Sequence, residues 1–270
     1  NDSKKVVVIN NDKNMGPGKS MEIGINYSLK SRFNFLVKID GDNQFDKEDV
    51  VSILNNGKKY SADYIKCDRF WKGGVKGKIP KIRYFGNAIA SLLIKLVTGN
   101  RRINDPLNGL FLFSENIAKE IKLPRFFYRY GYPFFINAFI SKLNIENNFK
   151  LYQYKNKITY GNEQSKLNPI TVFVKLILFT FSFFFSTIKT KLRYSTHQLS
   201  GLIDLMSVIS LFLSFLSIYM VIITRYFNYN GNQGAWSLLF VIFLIIFFML
   251  LFQSQKILKP NNEEEFIYIN

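Results

Sequence analysis

Cysteine and histidine are almost absent from this chain of 270 residues, which contains one of each, Cys67 and His197. A single cysteine excludes an internal disulfide framework. A single histidine excludes zinc sites that need two histidines and argues against Ser-His-Asp and Cys-His catalysis. His197 lies in the segment RYSTHQLSG, just before a long apolar run, where we expect an interfacial role rather than a catalytic one.

Acidic residues are scarce relative to basic ones, with 19 aspartates and glutamates against 36 lysines and arginines and a formal net charge of +17. Residues 201–270 contribute −1 to this total, so residues 1–200 carry +18. A surface of this charge attracts polyanions, namely nucleic acid, anionic lipid headgroups or phosphorylated substrates. No familiar nucleic-acid-binding module accompanies the charge, so a nucleic-acid partner is not expected.

A Gly-Lys-Ser sequence occurs in residues 14–25, NMGPGKSMEIGI, directly after the apolar run VVVIN. The phosphate-binding loop of ATPases requires Gly-x-x-x-x-Gly-Lys-Ser/Thr, so that an arc of backbone N–H groups surrounds the phosphates. Here Lys13 occupies the position of the first glycine, five residues before Gly18. The spacing excludes that loop, and the short turn requires another explanation.

Two apolar runs are long enough to cross a bilayer. Residues 205–223 and 235–252 contain nineteen and eighteen residues without a charge, which is about 27–29 Å of helix against a hydrocarbon core of ~30 Å. Basic residues flank the pair on both outer sides, so the positive-inside rule predicts a hairpin with both ends in the cytoplasm. A third run, residues 176–188, has thirteen uncharged residues, is short for a span, and is predicted to lie in the interface.

Short apolar segments alternate with helical patterns ahead of these runs. This alternation predicts an α/β layer with a mostly parallel sheet, in which ligands collect at the carboxyl ends of the strands. The predicted strands are residues 6–9, 35–39, 62–66 and 109–113, and the predicted helices are residues 20–29, a helix capped by Asp46, and residues 85–97.

The segment DGDNQF follows the predicted strand 35–39 and brings Asp40, Asp42 and Gln44 to one side of the chain. Two carboxylates and an amide oxygen are suitable ligands for Mg²⁺ or Mn²⁺, whose coordination is usually completed by substrate phosphates. A calcium loop is excluded, because Phe45 stands where glycine is required and Val51 where glutamate is required. A solvated turn without a metal is the alternative.

Several spaced segments together carry a family resemblance. They are NMGPGKSMEIGI, DGDNQF, DRFWKGG (residues 68–74), RYFGN (83–87), NDPLNGLFLFS (104–114) and YGNEQSKL (160–167). The set resembles the family 2 glycosyltransferases, above all the polyprenyl-phosphate sugar transferases such as dolichol-phosphate mannose synthase and its bacterial glucosyltransferase relatives. In that family the first segment is a turn whose small residues let a helix pack closely, which would explain its glycines.

The resemblance implies a fold and a domain order. It implies a GT-A-type, Rossmann-like nucleotide-sugar domain in residues 1–167, an interfacial amphipathic region in 168–200, a transmembrane helical hairpin in 201–254 and a cytoplasmic tail in 255–270. The first strand of the family, with its motif for the nucleotide base, is expected upstream of Asn1. On this interpretation the chain as given lacks part of the donor pocket.

The resemblance also implies a reaction. A sugar would pass from a nucleotide-sugar donor of the UDP-glucose or GDP-mannose class to a polyprenyl phosphate, at the cytoplasmic face of a prokaryotic membrane, with Mg²⁺ or Mn²⁺ as cofactor. Asp40, Asp42 and Gln44 would hold the metal, with Asp42 and Asp105 near the reacting centre. The second pKa of a phosphate monoester is about 6, so the acceptor needs no base at neutral pH.

Further residues receive binding roles from the same comparison. Donor binding is expected from Asn14, Gly16 and Asp40. Acceptor-phosphate binding is expected from Arg69, Arg83, Asn87, Ser165 and Lys166. The planar guanidinium groups of the two arginines would match phosphate oxygens in bidentate fashion.

The chain departs from the family at several positions, which leaves alternatives open. Phe111 stands where relatives have arginine, and the segment before Ser165 lacks an arginine that relatives use near the acceptor phosphate. One alternative is a family 2 transferase that acts on another membrane acceptor, such as a glycolipid. Another is a catalytically silent, membrane-anchored fragment. Assembly into a homo-oligomer is left open.

Overall fold

The computed structural model describes residues 6–71, 74–76, 81–159, 169–227, 231–257 and 265–269. The chain divides into two compact units. The α/β unit contains the described residues up to 96, residues 101–180 and the described residues after 264. The helical unit contains residues 97–100 and the described residues from 181 to 257.

The described residues form α-helices and β-strands as follows. The helices are α1 (Pro17–Ser28), α2 (Lys47–Tyr60), α3 (Lys81–Thr98), α4 (Glu115–Glu120), α5 (Tyr132–Leu143), α6 (Pro169–Arg193), α7 (Gln198–Tyr226) and α8 (Gln233–Ile257). The strands are β1 (Phe35–Lys38), β2 (Tyr64–Asp68), β3 (Val75–Lys76), β4 (Phe111–Ser114), β5 (Leu151–Lys155), β6 (Ile158–Thr159) and β7 (Ile267–Ile269).

The main sheet of the α/β unit has the strand order β1-β4-β2-β5-β7. Strands β2, β5 and β7 pair in parallel, whereas β4 runs antiparallel to both of its neighbours, β1 and β2. The α/β class predicted from the sequence is confirmed, but the mostly parallel sheet is corrected to a mixed one. The order of strands and helices along the chain does not determine strand direction. Each connection can return the chain to either end of the sheet, and the end it reaches makes the next strand parallel or antiparallel.

The two faces of the sheet differ in character because successive strand residues point to opposite sides. Ile65 and Cys67 belong to an aliphatic core cluster that includes Ile53 of α2. On the other face the ring of Tyr64 stacks on Phe113, and its hydroxyl donates to the Asn137 side chain of α5 at 3.1 Å. Lys66 and Asp68 share this second face with Tyr64, and this register carries them toward the site described below.

Two local predictions have opposite outcomes. The Asp46 cap of α2 is confirmed, because its side chain accepts a hydrogen bond from the Glu48 N–H at 3.0 Å. The strand predicted at residues 6–9 is wrong: these residues are not in a strand, and their exposure ranges from 42% to 81%. No described strand pairs with them, and a β-prone sequence without such a partner leaves its backbone groups to water.

The helical unit is organised around small polar residues on α7. Buried serine and threonine side chains recur along one face of this helix at intervals of three, four or seven residues: Ser200, Ser207, Ser210, Ser214, Ser217 and Thr224. Ser210 donates to the Phe243 carbonyl at 2.7 Å, and the Ser200 and Ser254 hydroxyls are 2.8 Å apart. This register makes α7 and α8 antiparallel neighbours, and the small side chains let the two helices approach closely.

In the part of the chain that the structure describes, three helices are long and apolar enough to cross a membrane by length and composition, namely residues Ile170–Arg193, Ser195–Tyr226 and Gln233–Ile257. The helix predicted for the first of these segments was too short. Helix α6 extends beyond the thirteen uncharged residues 176–188 in both directions. Its length therefore no longer argues against a span, and its interfacial position stays a prediction. The three apolar helices indicate a membrane protein.

A buried ion pair joins α6 to α7 within the helical unit. The Lys191 ammonium donates to the Asp204 carboxylate at 2.6 Å, and the two side chains are only 5% and 4% exposed. Each charge in such an apolar setting is costly unless the other is present.

We expect replacement of Lys191 by methionine to lower the free energy of unfolding by about 3–5 kcal/mol, because Asp204 would remain as an uncompensated buried charge. The double variant K191M/D204L should regain most of this loss. The matched control is Lys189→Met, which removes an exposed lysine from the same helix. Unfolding of purified protein in detergent would measure the effect, and equal stability of K191M and K189M would contradict the prediction.

Candidate functional site

A cavity of about 410 Å³ lies in the α/β unit at the edge of the sheet where β2 and β5 end. These strands are parallel neighbours, so their last residues, Asp68 and Lys155, lie side by side, and both line the cavity. Helix α3, the loop before β4 and strand β7 supply the other walls. The aromatic lining consists of Phe70, Trp71, Tyr84 and Tyr268.

Arg69 and Asp105 form an ion pair beside this cavity. The Arg69 Nε atom lies 3.0 Å from Asp105 Oδ2, and Nη2 donates to Oδ1 at 3.2 Å. The same carboxylate accepts from the Arg69 backbone N–H and from the Asn108 side-chain amide. Asp105 has a φ of 45°, a left-handed conformation that aspartate adopts more readily than most residues. Asp105 thus orients the guanidinium and shapes the turn ahead of β4.

Asn87 brings an unused hydrogen-bonding atom to the cavity. Its side chain lies on α3, lines the cavity and is only 6% exposed. The Oδ1 atom has no hydrogen-bond partner among the residues that the structure describes. A buried amide oxygen without a partner carries a desolvation cost of about 1–3 kcal/mol. A ligand or water that donates to Asn87 would remove this cost.

Lys66 places a positive charge beneath the cavity. The side chain is fully buried, and its ammonium donates to the backbone carbonyls of Asn104 and Cys67, the latter at 3.1 Å. Burial lowers the pKa of Lys66, whereas the nearby Asp105 and Asp68 carboxylates oppose that shift. The lysine compensates these two carboxylates in a region that water does not reach.

Tyr268 closes the cavity from strand β7. Its hydroxyl donates to the Asp68 carboxylate and accepts from the Asn104 side-chain amide, the latter at 2.9 Å. Burial and the hydrogen bond to Asp68 both raise the pKa of Tyr268. The hydroxyl therefore stays protonated at neutral pH and acts as a donor to Asp68.

The DGDNQF segment lies at the end of β1 and does not line this cavity. The Lys38 ammonium donates to Asp40 Oδ1 and to the Tyr132 hydroxyl. Burial lowers the pKa of Lys38, and the neighbouring Asp40 opposes that shift. Asp42 is exposed, and its Oδ1 accepts from the Gln44 N–H at 3.2 Å.

The donor set of this segment fits a hard divalent cation in its chemistry. Asp40, Asp42 and Gln44 offer carboxylate and amide oxygens, the ligand type that Mg²⁺ and Mn²⁺ prefer. Within the described residues, no group of three or more His, Cys, Asp or Glu side chains is arranged to hold a metal ion. Lys38 already neutralises one Asp40 oxygen, so the protein groups alone would hold a cation weakly and phosphate oxygens would have to complete its coordination.

Two of the three glycines of NMGPGKSMEIGI, Gly16 and Gly18, allow close packing. Asn14 Oδ1 accepts from the Gly16 N–H at 3.1 Å, and Gly16 has a φ of 89°. A Cβ atom at Gly16 or Gly18 would overlap the backbone of residues 127–129. Lys19 pairs with Glu22 and lies over the Tyr128 ring, so it serves the packing of α1.

The structure brings together some of the predicted site residues and not others. Asn87 and Asp105, from separate sequence segments, both line the cavity; Arg69 pairs with Asp105 but is not itself among the lining residues. Arg83 precedes Tyr84 on α3 and is not among the residues that line the cavity. Ser165 and Lys166 lie outside the described residues.

Sequence reasoning assigned no role to several residues of the site: Lys38, Lys66, Asp68, Asn104, Lys155 and Tyr268. For two of them, Lys66 and Tyr268, the sequence contained a feature that could have indicated their position. A lysine inside the apolar strand YIKCD indicates a buried charge that needs partners. The segment FIYI after the last apolar helix has the composition of a strand.

Comparisons with known proteins do not assign the chain to a family. No protein-family model matches the chain. An uncharacterized protein of Methanocaldococcus jannaschii is 32% identical over 92 residues, which cover 34% of this chain and 38% of that protein. The fold and the site therefore define the protein as a mixed α/β membrane protein with a polar, aromatic cavity.

A substitution at Gly109 tests the packing around DGDNQF, because a Cβ atom there would overlap the Asp40 carboxylate and crowd the Lys38 ammonium. We expect Gly109→Ala to lower the free energy of unfolding by about 0.5–1.5 kcal/mol, because the overlapped atoms are the ends of two side chains that would have to leave their present rotamers. The control is Gly24→Ala, since no atom lies within 4 Å of a Cβ atom at this position in α1. The control should raise stability by about 0.5–1 kcal/mol. Denaturant unfolding would measure the free energy of unfolding of both variants. A G109A variant as stable as the unmodified protein would refute the packing described.

Proposed function

We propose that this protein is a family 2 glycosyltransferase that transfers a sugar from a nucleotide-diphosphate sugar to a polyprenyl phosphate at the cytoplasmic face of the membrane. The proposal combines the sequence resemblance with the cavity of the α/β unit. The observation that carries it is the meeting of three resembling segments, DRFWKGG, RYFGN and NDPLNGLFLFS, around one polar cavity.

The residues of the cavity suit a phosphorylated acceptor. Lys155 supplies a cation at the cavity wall. Beside the cavity, Asp105 holds the Arg69 guanidinium in a fixed orientation, and an oriented guanidinium is suited to binding phosphate oxygens. The unpartnered Asn87 oxygen would accept from a hydroxyl of the transferred sugar or from a bound water. Because the phosphate is already ionised near neutral pH, none of these residues has to remove its proton.

The donor would be held by the end of β1. A GT-A-type interpretation places the diphosphate beside Asp40 and Asp42, with Gln44 adding an amide oxygen, and Asn14 and Gly16 near the nucleotide. A bound Mg²⁺ or Mn²⁺ would supply electrostatic stabilisation of the leaving diphosphate. Lys38 lies on the same carboxylate and would add a fixed positive charge to that region.

The pairing of β7 supports a membrane topology with two crossings. β7 follows α8 in the chain and pairs with β5, which precedes α6. Neighbouring strands lie about 4.8 Å apart, so a bilayer cannot separate them. The number of crossings between them must therefore be even. Since α7 and α8 pack as an antiparallel pair, we infer that they cross together and that α6 lies in the interface.

We expect labelled lipid to form in membranes that contain this protein. The assay supplies polyprenyl phosphate, Mg²⁺ or Mn²⁺, and labelled UDP-glucose or GDP-mannose in parallel. Arg69→Gln and Asp42→Asn should each reduce transfer by about 100-fold or more. Arg32→Gln, which changes an exposed arginine, should not. No transfer from any common donor would refute the acceptor assignment.

Cysteine labelling tests the topology, since the single native thiol, Cys67, is fully buried. In a Cys67→Ser background we expect Ser195→Cys, between α6 and α7, to react with an impermeant maleimide only from the cytoplasmic side. Asn232→Cys, before α8, should react only from the opposite side. Reaction of S195C from the outer side would show that α6 crosses the membrane.

A further inference from the structure

The strand that closes the cavity lies at the far end of the chain from its other walls. Tyr268 is separated by 200 residues from Asp68, the residue to which its hydroxyl donates. All three candidate membrane spans lie between the two. The cavity is therefore assembled from both sides of the apolar region of the sequence.

Tyr268 links the two segments that carry the central ion pair. Through Asp68 it reaches the turn that bears Arg69, because Asp68 Oδ1 also accepts from the Phe70 N–H at 2.9 Å. Through Asn104 it reaches the segment that bears Asp105. Both hydrogen bonds use the phenol oxygen alone, so removal of that one atom would break both of them.

The polar core below Tyr268 depends on the same two segments. The Asn104 carbonyl accepts from Lys66, and its backbone N–H donates to the Gln153 side chain at 3.0 Å. Gln153 in turn donates to the Phe266 carbonyl at the start of the β7 segment at 2.8 Å. Strand β7 is thus connected to the cavity through its backbone as well as through the Tyr268 hydroxyl.

We propose that Tyr268 is a positioning residue of the acceptor site and that strand β7 is required for the cavity to bind a phosphorylated ligand. Tyr268 positions the site by holding the side chains of Asp68 and Asn104 in place. These two residues in turn set the relative positions of Arg69 and Asp105. The identity of the ligand rests on the proposed function, whereas the positioning role rests on the hydrogen bonds alone.

Tyr268→Phe is a clean variant for this proposal. It keeps the ring, which lies 5.2 Å from the Lys155 ammonium, and removes only the hydroxyl. Tyr27→Phe, at an exposed tyrosine of α1, is the matched control. Thermal unfolding of both variants in detergent shows whether the fold is retained.

Trp71 provides a direct readout, because it lines the cavity and the chain has only one other tryptophan, Trp236. In a Trp236→Phe background, farnesyl phosphate is titrated against Trp71 fluorescence, with farnesol as the probe that lacks the phosphate. We expect farnesyl phosphate to bind, farnesol to bind more weakly, and Tyr268→Phe to raise the Kd for farnesyl phosphate about tenfold, the effect of roughly 1.4 kcal/mol. In the transfer assay the same variant should raise the KM for polyprenyl phosphate and leave the donor KM unchanged.

The outcomes separate this inference from the proposed function. Binding of farnesyl phosphate with the same Kd in Tyr268→Phe and Tyr27→Phe would overturn the positioning role and leave the function standing. Equal binding of farnesyl phosphate and farnesol would overturn the phosphorylated acceptor. In that case acrylamide quenching of Trp71 in the ligand-free protein still decides on Tyr268: greater quenching in Y268F than in Y27F supports positioning, and equal quenching refutes it.

Discussion

The backbone hydrogen bonds between β5 and β7 are the interaction on which most of this structure depends. They place Tyr152 opposite Ile267 and Tyr154 opposite Ile269 in a parallel register. This register sends Ile269 into the aliphatic core of the sheet and Tyr268 toward the cavity. The same bonds tie residues on either side of the apolar helices into one sheet, which limits how those helices can be arranged in a bilayer.

The cavity shows how a sheet can hold several charges in its interior. Lys66 is fully buried, yet two carboxylates lie near it and backbone carbonyl oxygens accept hydrogen bonds from its ammonium group. Arg69 and Asp105 form a second compensated pair a few residues away. Because each charge has a partner, the group as a whole avoids the large desolvation cost of an isolated ion. The cluster thereby fixes the orientation of the Arg69 guanidinium.

Local features were predictable from the sequence, because their causes lie within a few residues. The Asp46 cap, the α/β class and the apolar helices all belong to this group. No local pattern relates Asn87 to Asp105, which both line the cavity; only the resemblance of separate segments put them in one predicted site. The direction of β4, the lack of a strand at residues 6–9 and the pairing of β7 depend on contacts between distant parts of the chain. No local pattern contains that information.

The site itself was predicted in part for the same reason. Asp40 and Asp42 stand out by their spacing, but the ion pair of Lys38 with Asp40 also involves Tyr132, almost a hundred residues away. Tyr268 is one of fifteen tyrosines and has no neighbouring motif that would single it out. Its importance arises from the fold, which brings it to Asp68 and Asn104.

The position of β7 in the chain has a consequence for biogenesis. A ribosome makes α6, α7 and α8 before it makes this strand, so the sheet and the cavity stay open while the apolar helices are delivered to the bilayer. Only when the helices have returned the nascent chain to its starting side can β7 dock beside β5. A polypeptide inserted with an odd number of crossings would keep an incomplete sheet and an unformed cavity. Pairing of β7 thus becomes a check on membrane insertion, because only a chain with an even number of crossings can bring β7 beside β5.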